Sequence, residues 1–383
     1  MKLLIAADIF PPEAGGPATY CVTLANELVK LGDQVTIVSL NPNSDKKVLD
    51  NRVRLFPVAF KNKPLRYAHY FWLLWKYATT ADVLYAMGPV NAGWPVALVA
   101  RLQKKRFVVK VVGDYAWEQG QVLGLTKDGI DEFQPKMYGG KIADLKNKER
   151  QVVRAADIVI TPCVYLKNMV VGWGAKSEKV KVVYNAVEFT DVAPADKPAG
   201  ERWVVTAARL TPWKGIQALM EAIGELRPSM PDIKLKVVGS GPELSLLQAF
   251  AVEQKLSDAV EFLGAVPRPQ ALSYIKAADV FVLNSGYEGM SHVILEALNL
   301  GTPVLASDAG GNPEIVGDSS LFAFNTVAEM KNKIAAVLAQ PATSAAQKAN
   351  SVSQSDTFFS ITPFNTVTMI LDTKKILESV CRN

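Results

Sequence analysis

Histidine and cysteine are scarce in this 383-residue chain: two histidines, His69 and His292, and three cysteines, Cys21, Cys163 and Cys381. Two imidazoles so far apart exclude a histidine-rich metal centre. The cysteines are distant from one another and show no metal-type spacing, so they read as reduced thiols of a cytoplasmic protein. Uninterrupted apolar runs are also lacking. Residues 83–100 carry no charge, yet Pro89, Asn91, Gly93 and Pro95 break them into a strand, a loop and a helix start, which argues against a membrane span. The opening MKLLIAADIF has a short apolar run, no small-residue cleavage site and an early Asp8. It reads as a first β-strand rather than an export signal. No low-complexity tract suggests disorder.

What is present is a globular composition, 49% hydrophobic and 21% charged, at a length that suits two domains better than one. The net charge of +5 is mild, and nucleic acid is not an expected partner. Its distribution says more. Arg52, Arg54, Lys61, Lys63, Arg66 and Lys76, with Lys104, Lys105 and Arg106, concentrate near the start. Such a basic face suits phosphates or an anionic membrane surface, or is simply solvated.

Short β-rich runs alternate with helical patterns. KLLIAA, QVTIVSL, VRLFPV, DVLYAMG, RFVVKVVG, DIVITP and KVKVVYN are strands of the first half; RWVVTAARL, KLKVVGSGP, VEFLGAV, DVFVLNS and PVLASD belong to the second. The first helix has Pro17 in its first turn, apolar Val22, Ala25, Leu28, Val29 and Leu31, and Gly32 as its stop. Repeated strand–helix–strand units give a parallel sheet covered by helices. The stretch EFTDVAPADKPAGE, residues 188–201, lacks an apolar period and reads as a linker. The expectation is an α/β chain of two doubly wound, Rossmann-like parallel-sheet domains facing across a cleft. The first covers residues 1–190 and the second 200–355. A threonine-, serine- and alanine-rich segment near 340–357 precedes a helical pattern at about 362–383.

Four features follow strands, where such sheets bind ligands. Gly15 and Gly16 precede the first helix and would let a phosphate approach backbone; a plain tight turn is the other reading. The pattern is not GxGxxG, which argues against a dinucleotide site. Arg209 and Lys214 flank the turn in AARLTPWKG and suit a diphosphate, or are exposed basic residues on a loop. Asp114, with Glu118, follows KVVG; it either orients a hydroxyl or caps the next helix. Finally, FVLNSGYEG delivers Glu288 at a strand end. Ser291 is a candidate N-cap, and Met290, Ser291 and His292 offer N–H groups to a phosphate. Glu296 lies about a turn into that helix on the face of His292, with Val293, Ile294, Ala297 and Leu298 expected to face inward. Acceptor-only carboxylates arranged in this way suit the paired hydroxyls of sugars and riboses.

The E-x7-E element from Glu288 to Glu296, ARLTPWKG, AADIVITP, VYNAVE, VVGSGP, VEFLGAV and GTPVLASDAGGNPEIV match family blocks in the family's order. Together they resemble the retaining, GT-B-fold glycosyltransferases of family 4, from Gly15 to Glu314. The resemblance implies a nucleotide-diphosphate sugar, UDP- or GDP-linked, held mainly by the second domain. Glu296 would bind the ribose, Arg209 and Lys214 the diphosphate, and Glu288 with Gly289, Met290 and Ser291 the sugar and its phosphate. Backbone near Val266 would meet the base, and Gly16 would approach from the first domain. No metal and no further cofactor is implied, and the C-terminal helix would return to the first domain. Many family members have a histidine near the position of Val112-Gly113-Asp114, and this chain has none there. Asp114 is therefore the catalytic candidate on the acceptor side, beside Arg209, Lys214 and Glu288.

The aromatic and basic stretch RYAHYFWLLWKYATT, residues 66–80, places Phe71, Leu74, Trp75 and Ala78 together on a helical wheel. It is either a core helix or an interfacial helix on an anionic membrane. The second would suit a sugar acceptor linked to lipid, at the inner face of the cell membrane. Two rival functions stay open: another GT-B enzyme, such as a nucleotide-sugar epimerase or a phosphorylase, and a two-domain binding protein without chemistry.

Overall fold

The computed structural model describes residues 1–13, 15–188, 190–339 and 364–381. The chain divides into two compact units. Met1–Asn185 forms the first together with a C-terminal helix, and Ala186–Asn365 forms the second.

The first unit is a seven-stranded parallel sheet. Its strands are β1 (Lys2–Ala7), β2 (Gln34–Ser39), β3 (Arg54–Pro57), β4 (Val83–Met87), β5 (Phe107–Lys110), β6 (Ile158–Thr161) and β7 (Val180–Val182). They lie in the order β3-β2-β1-β4-β5-β6-β7. Every residue of β4 is buried, as expected where helices cover both faces of a parallel sheet. The helices are α1 (Gly16–Lys30), α2 (Lys63–Ala78), α3 (Gly93–Gln103), α4 (Tyr115–Val122), α5 (Ile130–Phe133), α6 (Gly140–Ala155) and α7 (Val164–Gly172). The run at 83–100 thus becomes β4, a loop and the start of α3. Among the described residues no helix is long and apolar enough to cross a membrane.

The second unit has β8 (Arg202–Ala207), β9 (Ile233–Val238), β10 (Val260–Gly264), β11 (Val280–Leu283), β12 (Val304–Ser307) and β13 (Leu321–Phe322). Their order is β10-β9-β8-β11-β12-β13, all parallel. Helices α8 (Ile216–Leu226), α9 (Leu244–Glu253), α10 (Arg268–Ala277), α11 (His292–Asn299) and α12 (Val327–Leu338) cover it. The core gathers Val204, Leu219, Leu235, Val282 and Ile334, all fully buried. The described part of 188–201 has no helix or strand and packs on this unit. Ala195 N–H donates to the Ser273 carbonyl (2.9 Å), and Lys197 pairs with Asp279 (2.9 Å).

The last helix, α13 (Thr366–Cys381), belongs to the first unit. The Thr373 hydroxyl lies 3.1 Å from the Tyr20 hydroxyl, itself 3.0 Å from that of Tyr85, and Lys374 pairs with buried Asp33. The segment near 340–357, and the first residues of the pattern at 362, lie outside the described residues.

In both sheets the strand order reverses once, between β1 and β4 and between β8 and β11. That point, at the carboxyl ends of the strands, is where doubly wound sheets open a crevice for ligands.

Candidate functional site

The second unit brings most of the expected site residues to the β8/β11 edge. After β8 the chain turns through Arg209, which is exposed, and Lys214, which is half-buried. Two glycines make this turn possible. A Cβ at Gly239 would lie 1.9 Å from the Ala208 carbonyl oxygen, and one at Gly241 would lie 2.2 Å from that of Leu210. The VGSGP loop therefore presses directly on the Arg209 loop, and Leu210 N–H donates to the Ser240 carbonyl (3.0 Å).

Lys214 and Glu288 form an ion pair with both side chains about 15% exposed. The loop after β11 is fastened to the cation turn at a second point, where Gly286 N–H donates to the Trp213 carbonyl (2.7 Å). A third fastening was not legible in the sequence. Buried Asn284, just past β11, donates from Nδ2 to the Gly215 carbonyl and to Asn325 Oδ1 (2.8 Å each), and accepts from Asn325 N–H (3.0 Å). Its single amide fixes where Lys214 stands.

The second glycine loop supports the first. Gly311 N–H donates to the Glu288 carbonyl (2.9 Å). At Gly310, φ is +60°, and a Cβ would lie 2.0 Å from that same oxygen. Only glycine fits a left-handed position in such close contact.

Ser291 caps α11, its hydroxyl accepting from Ile294 N–H at 3.4 Å. Met290 and Ser291 are buried, and Gly289 is half-buried. Along α11 the buried residues are Ile294, Leu295 and Ala297. Val293 and Leu298, expected to face inward, are only half-buried, and Leu295 takes the inner position. Glu296 accepts from Arg268 Nε at 2.8 Å. Arg268 opens α10, two residues after half-buried Val266, so the β10–α10 turn reaches the Glu296 carboxylate. Sequence reasoning missed Arg268; a pair spanning 28 residues across two helices leaves no local signal.

The first unit is different. Gly15 and Gly16 stand at the start of α1 beside the β1/β4 reversal. Asp114 is almost wholly buried and caps α4. Its Oδ1 accepts from Trp117 N–H (2.7 Å) and its Oδ2 from Gln134 Nε2 (2.8 Å). Of its two expected roles, the structure shows the helix cap. Both of its oxygens are engaged, Oδ1 in the cap and Oδ2 with the residue that ends α5. Glu149 reinforces the same helix start, accepting from Tyr115 N–H (2.8 Å) and Ala116 N–H (3.2 Å). Burial raises the Asp114 carboxyl, and burial together with the nearby Asp114 charge raises Glu149 well above the carboxylate range. Glu118 lies in the first turn of α4.

A carboxylate that the sequence reading left unassigned does stand at the reversal point. Asp8 follows β1, half-buried, and accepts from Ile9 N–H (3.0 Å). Its Oδ2 would lie 3.4 Å from a Cβ on Gly88, just past β4. Burial pushes its carboxyl up to about 6, against the opposing pull of backbone and Asn91 hydrogen bonds. Asn91 in turn accepts from the Tyr67 hydroxyl (2.8 Å).

Known proteins share both units. A family model described as Glycosyltransferase Family 4 matches residues 14–190, and one described as Glycosyl transferases group 1 matches residues 188–354. The alpha-monoglucosyldiacylglycerol synthase of Streptococcus pneumoniae is 25% identical, over 82% of this chain and 72% of its own length. A phosphatidylinositol N-acetylglucosaminyltransferase component from Arabidopsis thaliana is 26% identical, over 83% of this chain and 70% of its own. Anabaena HepE, solved in complex with UDP and glucose, superposes with a TM-score of 0.77 at 20% identity, covering 99% of this chain and 100% of that one. Sucrose-phosphate synthase from Thermosynechococcus elongatus gives 0.77 at 19% identity, covering 99% and 98%. With the two family matches together spanning residues 14–354 on two doubly wound sheets, the chain belongs to the GT-B glycosyltransferases of family 4 and is a glycosyltransferase.

Proposed function

We propose that this glycosyltransferase moves a sugar from a UDP- or GDP-sugar to an acceptor hydroxyl with retention of anomeric configuration. The observation that carries the proposal is the pairing at the β8/β11 edge. Glu288 pairs with Lys214 and Glu296, on α11, with Arg268 of α10, and the loops carrying Arg209 and Glu288 are braced by close glycine contacts. Carboxylates accept from hydroxyls and cations bind phosphates, so one ligand carrying both groups satisfies the set. Glu296 takes the ribose hydroxyls, Arg209 and Lys214 the diphosphate, and Val266 backbone the base. Glu288 and the Gly289–Ser291 backbone meet the sugar and its phosphate.

In the reaction the bond from the anomeric carbon to the diphosphate oxygen breaks, and the acceptor oxygen bonds to the same face. The hydroxyl proton passes to the departing diphosphate. Arg209 and Lys214 stabilise the charge that develops there, the role a metal has elsewhere, and no resident metal or further cofactor is required. On the acceptor side, Asp8 at the β1/β4 reversal replaces Asp114 as the carboxylate presented to a hydroxyl; Asp114 acts by positioning α4. The Streptococcus pneumoniae and Arabidopsis thaliana relatives named above bear names built on glycolipids. These names support a lipid-linked acceptor and an enzyme working at a membrane face.

A thermal-shift screen across nucleotide sugars tests the donor. One nucleotide series should raise the melting temperature clearly, and the protein should hydrolyse that donor slowly without acceptor. Chelator-treated protein should do the same, and NMR of the first-formed product should show the donor's anomeric configuration. Stabilisation by no nucleotide sugar would refute the donor reading. Binding without hydrolysis or transfer would favour a clamp.

A further inference from the structure

We propose that the paired outer faces of α2 and α3 form a docking surface for an anionic lipid bilayer. The residue pattern predicted from the wheel of α2 is corrected by its packing. Leu74 and Ala78 are buried, while Trp72 and Trp75 stand outward, Trp72 at 52% exposure. A second stripe continues the surface on α3, where Trp94, Leu98 and Leu102 recur every four residues and are exposed. The two helices are tied together, because Gln103 Nε2 donates to the Trp75 carbonyl (2.8 Å). Tryptophan at an interface with leucine beside it is the composition that partitions into the headgroup layer.

Charge identifies what covers this face. Between residues 51 and 113 there are eleven lysines and arginines and one carboxylate, Asp82. Outside that stretch 31 cations meet 36 acidic residues, so the basic excess of the whole chain lies here. Lys76 stands over the Trp72 ring at 5.1 Å. Exposed Arg101 and Lys104 line an open groove beside Trp94 and Leu98, which Arg154 of α6 also lines. Lys105 is committed elsewhere, donating to the Thr79 and Ala81 carbonyls (3.0 and 2.8 Å). An apolar aromatic stripe bordered by exposed cations matches anionic headgroups over acyl chains, and a second copy of the same basic face would be repelled. The inference does not depend on which sugar is moved.

The test is flotation of the full chain with phosphatidylcholine vesicles and with vesicles containing roughly one-third phosphatidylglycerol. Binding should appear with the second only and weaken with salt. Arg101→Glu with Lys104→Glu should lower the partition coefficient more than roughly tenfold. Trp72→Ser with Trp94→Ser should lower it comparably, with donor hydrolysis unchanged as the check on folding. No binding to either vesicle, or binding that all four substitutions leave intact, would overturn the proposal. So would a dimer, seen by light scattering, that the tryptophan substitutions dissolve.

Discussion

Each unit sets a carboxylate after a strand, Asp114 after β5 and Glu288 after β11, and a second on a helix, Glu149 on α6 and Glu296 on α11, and the two units use them in opposite ways. In the second, Glu288 and Glu296 are held by the cations Lys214 and Arg268 and remain partly exposed. In the first, Asp114 and Glu149 are buried; Asp114 Oδ1 and Glu149 Oε1 accept from the backbone start of α4, and Asp114 Oδ2 accepts from Gln134 Nε2. A carboxylate paired with a side-chain cation can exchange that partner for a ligand. One that accepts from backbone N–H groups cannot do so without loosening the helix it caps. Their hydrogen-bond partners make the difference.

The sharpest way to break this comparison is to remove a cation on the ligand side. Lys214→Ala should lower donor turnover by about 10²–10³ and Arg209→Ala by a comparable factor, as for loss of a group aimed at developing charge, measured as initial rates at saturating acceptor. Folding should be little affected. Unchanged rates in both would detach the cations from the diphosphate.

Gly310→Ala tests whether the second glycine loop serves the first. The left-handed backbone and the clash with the Glu288 carbonyl should cost more than about 1 kcal/mol of stability, and nucleotide affinity should fall with the displaced loop. Denaturant titration and calorimetry measure the two; full affinity with full stability would sever Gly310 from Glu288.

On the first unit the expectation reverses. Asp114→Ala should cost about 1–3 kcal/mol, as a lost cap and an unpaired buried donor do, and should leave nucleotide affinity unchanged. Asp114→Asn, which keeps an acceptor for Trp117 N–H, should cost less. Loss of donor binding instead would move Asp114 to the ligand side.

The smallest effect concerns Lys110 at the end of β5. Its ammonium is buried, lies 3.8 Å over the Tyr20 ring and has no hydrogen-bond partner among the described residues. Burial lowers it from the usual 10.5 to about 7. Between those values the folded chain binds fewer protons than the unfolded one, so stability rises with pH across that window. Lys110→Met should flatten the rise, read as urea midpoints from neutral to alkaline pH; parallel slopes would contradict it.

Much of this was legible in the residues. The alternation of strands and helices, Ser291 as a cap, and the loops carrying Arg209, Lys214 and Glu288 all followed from local pattern. Long-range choices were not. Asp114 had two equal readings until Gln134, twenty residues on, appeared at its second oxygen. The helical wheel of α2 could not tell which side the sheet would cover, so Trp72 was missed and Leu74 was grouped with outward-facing Trp75. Asn284 and Arg268 act across sequence gaps that carry no periodic signal. Strand β13 is two residues long, too short for alternation to reveal.

The decisive contacts lie where β8 and β11 end in the second unit. A crystal structure with the nucleotide sugar that gives the largest thermal shift tests them most directly. The prediction is ribose hydroxyls within hydrogen-bond reach of Glu296 and the diphosphate against Arg209 and Lys214. A nucleotide lodged elsewhere, with Glu296 still on Arg268 and Lys214 still on Glu288, would contradict it.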